Sequence, residues 1–233
     1  MEGANQALVA EVREELAALA DPARAQGMQA YMKSAMPYRG VSMPVLRRVC
    51  RQVFAAHPLA SFAGWQATTL LLWREAGFRE ERYAAVELTG ERRYRAHQVT
   101  AALPLYEELV VTGAWWDYVD AVAVHRIGGL LRGDPAPLRR AMLAWSRSPD
   151  RWKRRTSILC QNTFKDATDL GLLYACIEPN LADRDFFIRK AIGWALRAYA
   201  WTDPDEVARY VHEHEAALSG LSRREALKNL RRQ

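Results

Sequence analysis

Arg154-Arg155-Thr156-Ser157-Ile158 places basic residues ahead of small and apolar ones, and a similar order returns at Glu81-Arg82-Tyr83-Ala84-Ala85-Val86 and Arg189-Lys190-Ala191-Ile192-Gly193. Arg82, Arg154 and Arg189 fit a period of about 36 residues, and Tyr118 falls midway between the first two. Such a period with two helices per repeat is the mark of a HEAT-like array, in which no pair buries its own apolar face and neighbours stack into a shared core. The expected fold class is therefore all-α: a right-handed superhelical solenoid of HEAT-like helix pairs with a concave basic groove. No linker or low-complexity segment divides residues 1–233, which read as one domain.

The flanking sequence is helical too. Over residues 5–20, Leu8, Val12, Leu16 and Leu19 form one apolar stripe. Asp21-Pro22 then caps a second helix carrying Met28, Tyr31 and Met32. Pro37-Tyr38-Arg39-Gly40 breaks the chain, and Ser42-Met43-Pro44 opens a third helix with Leu46, Val49 and Val53. Further helices are expected at about 59–76, 79–90, 102–113, 115–132, 136–147, 151–164, 169–178, 184–200, 204–216 and 222–231. Gly77, Gly133-Asp134-Pro135, Ser148-Pro149-Asp150 and Asp203-Pro204 punctuate them, and a capping box of Ser222 and Glu225 opens the last.

Half of the 233 residues are hydrophobic and 26% are charged, which suits a chain with a sizeable core and excludes general disorder. The net charge of +6 permits an anionic partner. Cys50, Cys160 and Cys176 are odd in number and lack CxxC spacing, so a disulfide framework or zinc ribbon is not expected and a reducing compartment is. Glu2, Glu11, Glu14 and Glu15 stand where a secretory leader is basic, and no uncharged run reaches the roughly eighteen residues of a membrane span. These features lead to the expectation of a soluble cytoplasmic protein, nucleoid-associated if its partner is DNA.

The stretch Ala114-Trp115-Trp116-Asp117-Tyr118-Val119-Asp120 is the first candidate for chemistry. Trp116 and Asp120 are i and i+4 and share a helix face, while Trp115, Val119 and Val122 can pack inward. The plainer alternative makes Trp116 core and both aspartates acids favoured by the helix dipole. Arg151, Lys153, Arg154 and Arg155 open one later helix, and Arg184, Arg189, Lys190 and Arg197 dot the next. Arg223, Arg224, Lys228, Arg231 and Arg232 crowd the last. Each run alone reads as a solvated face, but three on adjacent concave helices would form a track for a phosphate backbone.

On the period above, Asp120, Arg155, Lys190 and Trp194 are expected to face one groove. Trp194 has Lys190 at i−4 and Arg197 at i+3, which suits a ligand both aromatic and charged. Trp65, Trp73, Trp145 and Trp152 fall on apolar stripes, and Cys160 and Cys176 read as small core residues. In His212-Glu213-His214-Glu215 the histidines point to opposite sides of a helix, so no metal site is expected there. No nucleotide-binding, zinc-protease or nucleophile-elbow motif occurs.

Trp115–Asp120, Phe186–Tyr199, Tyr31-Met32-Lys33, the stretch from Gly40 to Pro44 with Arg47-Arg48, and Ser222–Ala226 together resemble the AlkD-type DNA alkylation repair glycosylases over nearly the whole chain. That resemblance implies hydrolysis of the N-glycosidic bond of cationic N3- and N7-alkylated purines such as 3-methyladenine and 7-methylguanine. The partner is double-stranded DNA containing alkylated bases, and the protein is monofunctional, monomeric and free of cofactor. Carried over, Asp120 is the catalytic carboxylate, Trp116 and Trp194 line the cleft, Arg155 grips the phosphate, and Tyr31 touches DNA from the N-terminal helices. Arg154, Arg189, Lys190, Arg197, Arg224 and Lys228 complete the expected DNA contacts, and no metal ligands are implied. At Ser42 related chains vary, some carrying a longer amide. An open groove, with no closed purine-shaped pocket around Asp120, is the expected form of the site. The alternatives are a non-catalytic HEAT-like protein that binds distorted or damaged DNA, and a protein-interaction scaffold.

Overall fold

The computed structural model describes residues 3–230; Glu2, Arg231 and Arg232 lie outside them. The described chain is helical with no strand, and it forms two compact units that divide between Leu105 and Tyr106.

The first unit holds α1 (Gln6–Ala18), α2 (Pro22–Met32), α3 (Met43–Ala56), α4 (Phe62–Arg74) and α5 (Arg79–Leu88). The stripe Leu8, Val12 and Leu16 is buried, and Leu46, Val49, Val53, Trp65, Leu72 and Trp73 share its core, so the helix periodicity has its cause in packing. Leu19 falls outside, exposed at the C-cap of α1. Asp21 caps α2 as its spacing suggests, accepting from the Arg24 amide at 3.0 Å. The break at 37–42 is held by a buried acid: the Glu80 carboxylate accepts from the amides of Arg39, Gly40 and Val41. Two short 3₁₀ turns, Arg92–His97 and Thr100–Ala102, precede α6 (Leu103–Gly113), which runs across the division.

The second unit continues with α7 (Trp116–Ala121), a π-helical turn over Val122–Ile127 and α8 (Gly128–Gly133), helical without interruption from end to end. α9 (Pro135–Trp145), α10 (Arg151–Leu159), α11 (Leu170–Ile177), α12 (Phe186–Tyr199), α13 (Pro204–Glu213) and α14 (Gly220–Ala226) follow. Side-chain links between helices of this unit span about 28 to 46 positions, and several fall at 34 or 35. Arg155 reaches Asp120 and Lys190 reaches Glu225 across 35 positions, while Arg151 reaches Asp185 and Asn180 reaches Ser146 across 34.

Several boundaries differ from expectation. The helix expected over 151–164 closes at Leu159, and residues 160–163 form turns, with the amides of Asn162 and Phe164 returning to Leu159 and Gln161. The helix expected from Ser222 begins at Gly220, because Ser219 accepts from the Ser222 amide and is the true N-cap. Ser222 instead donates its hydroxyl to the Arg189 carbonyl, so the Ser222–Glu225 capping box does not form. That exchange frees Glu225 for a different task. A Cβ on Gly193 would lie 2.4 Å from the Glu225 Cβ and 2.9 Å from the Ser222 carbonyl oxygen, so only glycine lets α12 and α14 approach this closely.

Trp65, Trp73, Trp145 and Trp152 are all buried, as are Cys50, Cys160 and Cys176, each a free thiol. No described helix is long and apolar enough to cross a membrane.

Candidate active site

Ala114 takes a left-handed backbone conformation (φ 45°) and Trp115 an extended one, which together set the start of α7 at Trp116. Asp117 sits in the first turn, where the helix dipole favours an acid. Asp120 lies one turn further on and has its own partner. On α10, Asp150 accepts from the amides of Trp152 and Lys153 and fixes the start of the helix that carries Arg155. On α12, Asp185 does the same for Phe187 and Ile188, and Arg151 donates to it at 3.0 Å. Burial raises the Asp185 carboxyl, but Arg151 and the two amides outweigh it and hold the group below its ordinary value. Beneath this join, the rings of Trp115, Trp152 and Phe187 meet with centroids 5.0–6.3 Å apart.

Arg155 is the centre of the arrangement. Its Nε donates to Asp120 Oδ1 at 2.7 Å and its Nη2 to Oδ2 at 2.8 Å, a two-pronged bond in which both carboxylate oxygens accept. Its Nη1 donates to the Phe187 carbonyl at 2.5 Å, and the residue is only 5% exposed. Three of the five guanidinium N–H donors are thus spent inside the protein, and two are left. Burial pushes the Asp120 carboxyl above the ordinary aspartate range, against the pull of Arg155. The Asp120 side chain keeps 14% exposure, enough for contact from outside.

A hollow of about 250 Å³ opens beside this pair. Trp116, Trp194 and Phe186 supply its aromatic walls, Arg155 and Phe187 its inner end, and Lys190, Arg197 and Glu225 its polar rim. Glu225 accepts from Lys190 Nζ at 2.9 Å and from Arg197 Nη1 at 2.6 Å. Lys190 first, and Arg197 with it, hold that carboxyl below its ordinary value against its burial. An acid paired with a guanidinium, two indoles and a cation-bearing rim can stabilise positive charge on a ligand while holding nearby phosphate.

Trp116, Arg155, Lys190, Trp194 and Arg197 come together in one hollow, with Asp120 joined to it through Arg155. Phe186, Phe187 and Glu225 were not singled out from the sequence. Phe186 and Phe187 look like core, and Glu225 like part of a cap. The remaining expected contacts are elsewhere. Arg154 donates to the carbonyls of Ser148 and Pro149 and pairs with Asp183, so it braces the turn before α10. Arg189 donates to the Asp183 carbonyl. Arg224 and Lys228 are exposed, with Arg224 lining a different hollow between α13 and α14. Tyr31, in the first unit, is 77% exposed on α2.

The expected continuous cationic track is interrupted by acids. Arg151 meets Asp185, Lys153 meets Glu107, Arg223 meets Glu215, and Glu225 bridges Lys190 and Arg197. The 212–215 stretch behaves as surface: Glu213 pairs with Arg209, Glu215 with Arg223, and His214 Nδ1 bonds the Tyr210 carbonyl.

A solved structure described as "Predicted DNA alkylation repair enzyme from Enterococcus faecalis" superposes with a TM-score of 0.81 at 26% identity, covering 92% of this chain and 98% of that one. No curated protein matches the sequence. The family model for the DNA alkylation repair enzyme matches residues 12–230, and on that span the chain belongs to the DNA alkylation repair enzyme family.

Proposed function

We propose that the protein is a monofunctional DNA glycosylase that hydrolyses the N-glycosidic bond of cationic N3- and N7-alkylated purines, 3-methyladenine and 7-methylguanine among them, in duplex DNA. The observation that carries this reading is the partly buried Asp120 carboxylate, held in two-pronged contact by Arg155, which lines a hollow walled by two indoles. Alkylation at N3 or N7 makes the purine a cationic leaving group, and departure leaves an oxocarbenium-like sugar. An ionised, preorganised carboxylate stabilises that charge and orients the attacking water. Trp116 and Trp194 offer ring faces to the cationic lesion and the emerging sugar cation.

Arg155 acts first as a positioning residue, holding Asp120 ionised and in register. Its two remaining donors serve the phosphate of the damaged nucleotide. Lys190 and Arg197 take neighbouring phosphates, Arg154, Arg189, Arg224 and Lys228 supply further contacts from the second unit, and Tyr31 supplies one from the first. A hollow of about 250 Å³ falls below the usual span of about 300–1,000 Å³ for enclosing ligand sites, which favours recognition by charge and lability over capture of a whole extruded nucleotide.

The second reading is a non-catalytic protein that binds distorted or damaged DNA, in which Asp120 would serve only to hold Arg155. Incubation of the protein with N-methylated duplex DNA separates the two readings. The glycosylase releases free 7-methylguanine or 3-methyladenine and leaves abasic sites with unbroken strands. Tight binding of the damaged duplex with no released base would retire the glycosylase reading.

A further inference from the structure

Trp201 follows the last turn of α12 and is 74% exposed, an unusual position for an indole in a chain that buries Trp65, Trp73, Trp145 and Trp152. It lines a second hollow of about 470 Å³, within the usual range for ligand sites. This hollow shares Trp194 and Arg197 with the one beside Asp120, so the two lie on either side of the same indole and guanidinium. Its other walls come from the turns after α10: Asn162, Thr163 and Lys165. No carboxylate lines it, in contrast to the first hollow, where Glu225 sits between the cations.

Two of those walls have unused polar capacity. Lys165 is exposed, and no ion pair engages it among the described residues. Its backbone is left-handed, with φ 55°, a conformation seldom given to lysine. The Nδ2 amide of Asn162 is buried and has no hydrogen-bond partner.

We propose that this second hollow is a subsite for an unpaired nucleotide of the DNA, with the base stacked on Trp201 and its phosphate on Lys165. Stacking on an indole needs a free base face, which a paired duplex covers with neighbouring bases, so the subsite selects nucleotides that have left the stack. The lysine supplies a sequence-independent phosphate contact, and the combination tolerates any base. It lies beside the Asp120 hollow rather than within it, so it takes a nucleotide next to or opposite the lesion. The inference rests on the glycosylase reading for the presence of DNA, but its test reads binding alone.

The measurement is anisotropy of the full-length protein titrated with two labelled, undamaged duplexes that differ only by one unpaired adenosine. Trp201→Ala is expected to weaken binding to the bulged duplex about tenfold and to the paired duplex less than twofold, while Trp201→Phe retains the preference. Lys165→Ala is expected to weaken both duplexes and to lower the salt slope by about one. Equal losses on both duplexes for Trp201→Ala, or no loss on either, overturn the stacking site. An unchanged salt slope for Lys165→Ala overturns the phosphate contact. Because Trp201 is exposed, its variants should melt with the wild type, and Trp201→Phe guards the comparison if Trp201→Ala does not. A wild type that releases no methylated base but shows the bulge preference retires the glycosylase reading and leaves the subsite standing.

Discussion

At the level of single residues, Arg155 does two things that its place in the sequence does not separate. It neutralises a buried acid and also fixes that acid's direction through two bonds, 2.7 and 2.8 Å long. Lysine keeps the charge but loses the fork. Arg155→Lys should therefore lower single-turnover release of 7-methylguanine on the order of 100-fold while paired-duplex affinity changes little. A loss confined to affinity would make Arg155 a phosphate grip alone. The pH profile reports the same pair. If Asp120 acts as the ionised carboxylate of the proposed reaction, burial having raised its carboxyl, activity is present above that raised value and is lost as pH falls through it. The acid limb should stand above the ordinary aspartate value of 3.8. Arg155→Gln removes the opposing cation and should move the limb further up; a limb that moved down would contradict the assignment.

At the level of elements, the approach of α14 to α12 builds the polar rim of the first hollow. Gly193→Ala drives a methyl group into the Glu225 Cβ and the Ser222 backbone, neither of which is the free end of a flexible side chain. We expect a loss of about 1–3 kcal/mol in chemical denaturation, with Lys190 and Arg197 displaced from Glu225. Stability within about 0.5 kcal/mol of the wild type would show that the two helices yield easily.

This junction also marks where sequence reading stops. Apolar periodicity reveals that α12 exists and that Lys190, Trp194 and Arg197 share one side of it. It cannot show that the partner of Lys190 lies 35 positions ahead, nor decide between Ser219 and Ser222 as the cap, because both serines fit the local rule. Phe187 was hidden for a similar reason. Its contribution is a backbone carbonyl aimed at Arg155, and a carbonyl has no signature in the sequence. Trp116 and Asp120 stand out in the sequence as an indole and an acid one turn apart, but neither the wall that Trp116 provides nor the pairing of Asp120 with Arg155 can be read from that spacing.

For the whole molecule, the 33 lysines and arginines overstate the cation free to meet DNA, because acids already hold many of them and leave a net charge of +6. Glu225 is the informative case, because it already accepts from both Lys190 and Arg197. Glu225→Gln should raise paired-duplex affinity several-fold at low salt and steepen the dependence of log K on log salt by about one, as Lys190 and Arg197 become available. Weaker binding with an unchanged slope would make Glu225 the scaffold of the two cations rather than their competitor. The central claim is that Asp120 performs chemistry and does more than hold Arg155 in place. Single-turnover release of 7-methylguanine from methylated duplex, wild type against Asp120→Asn, tests it most directly when read beside the dissociation constant. Asp120→Asn is expected to lower the rate at least about 100-fold with affinity kept or slightly raised. A rate within about threefold of the wild type at equal affinity would remove Asp120 from the reaction.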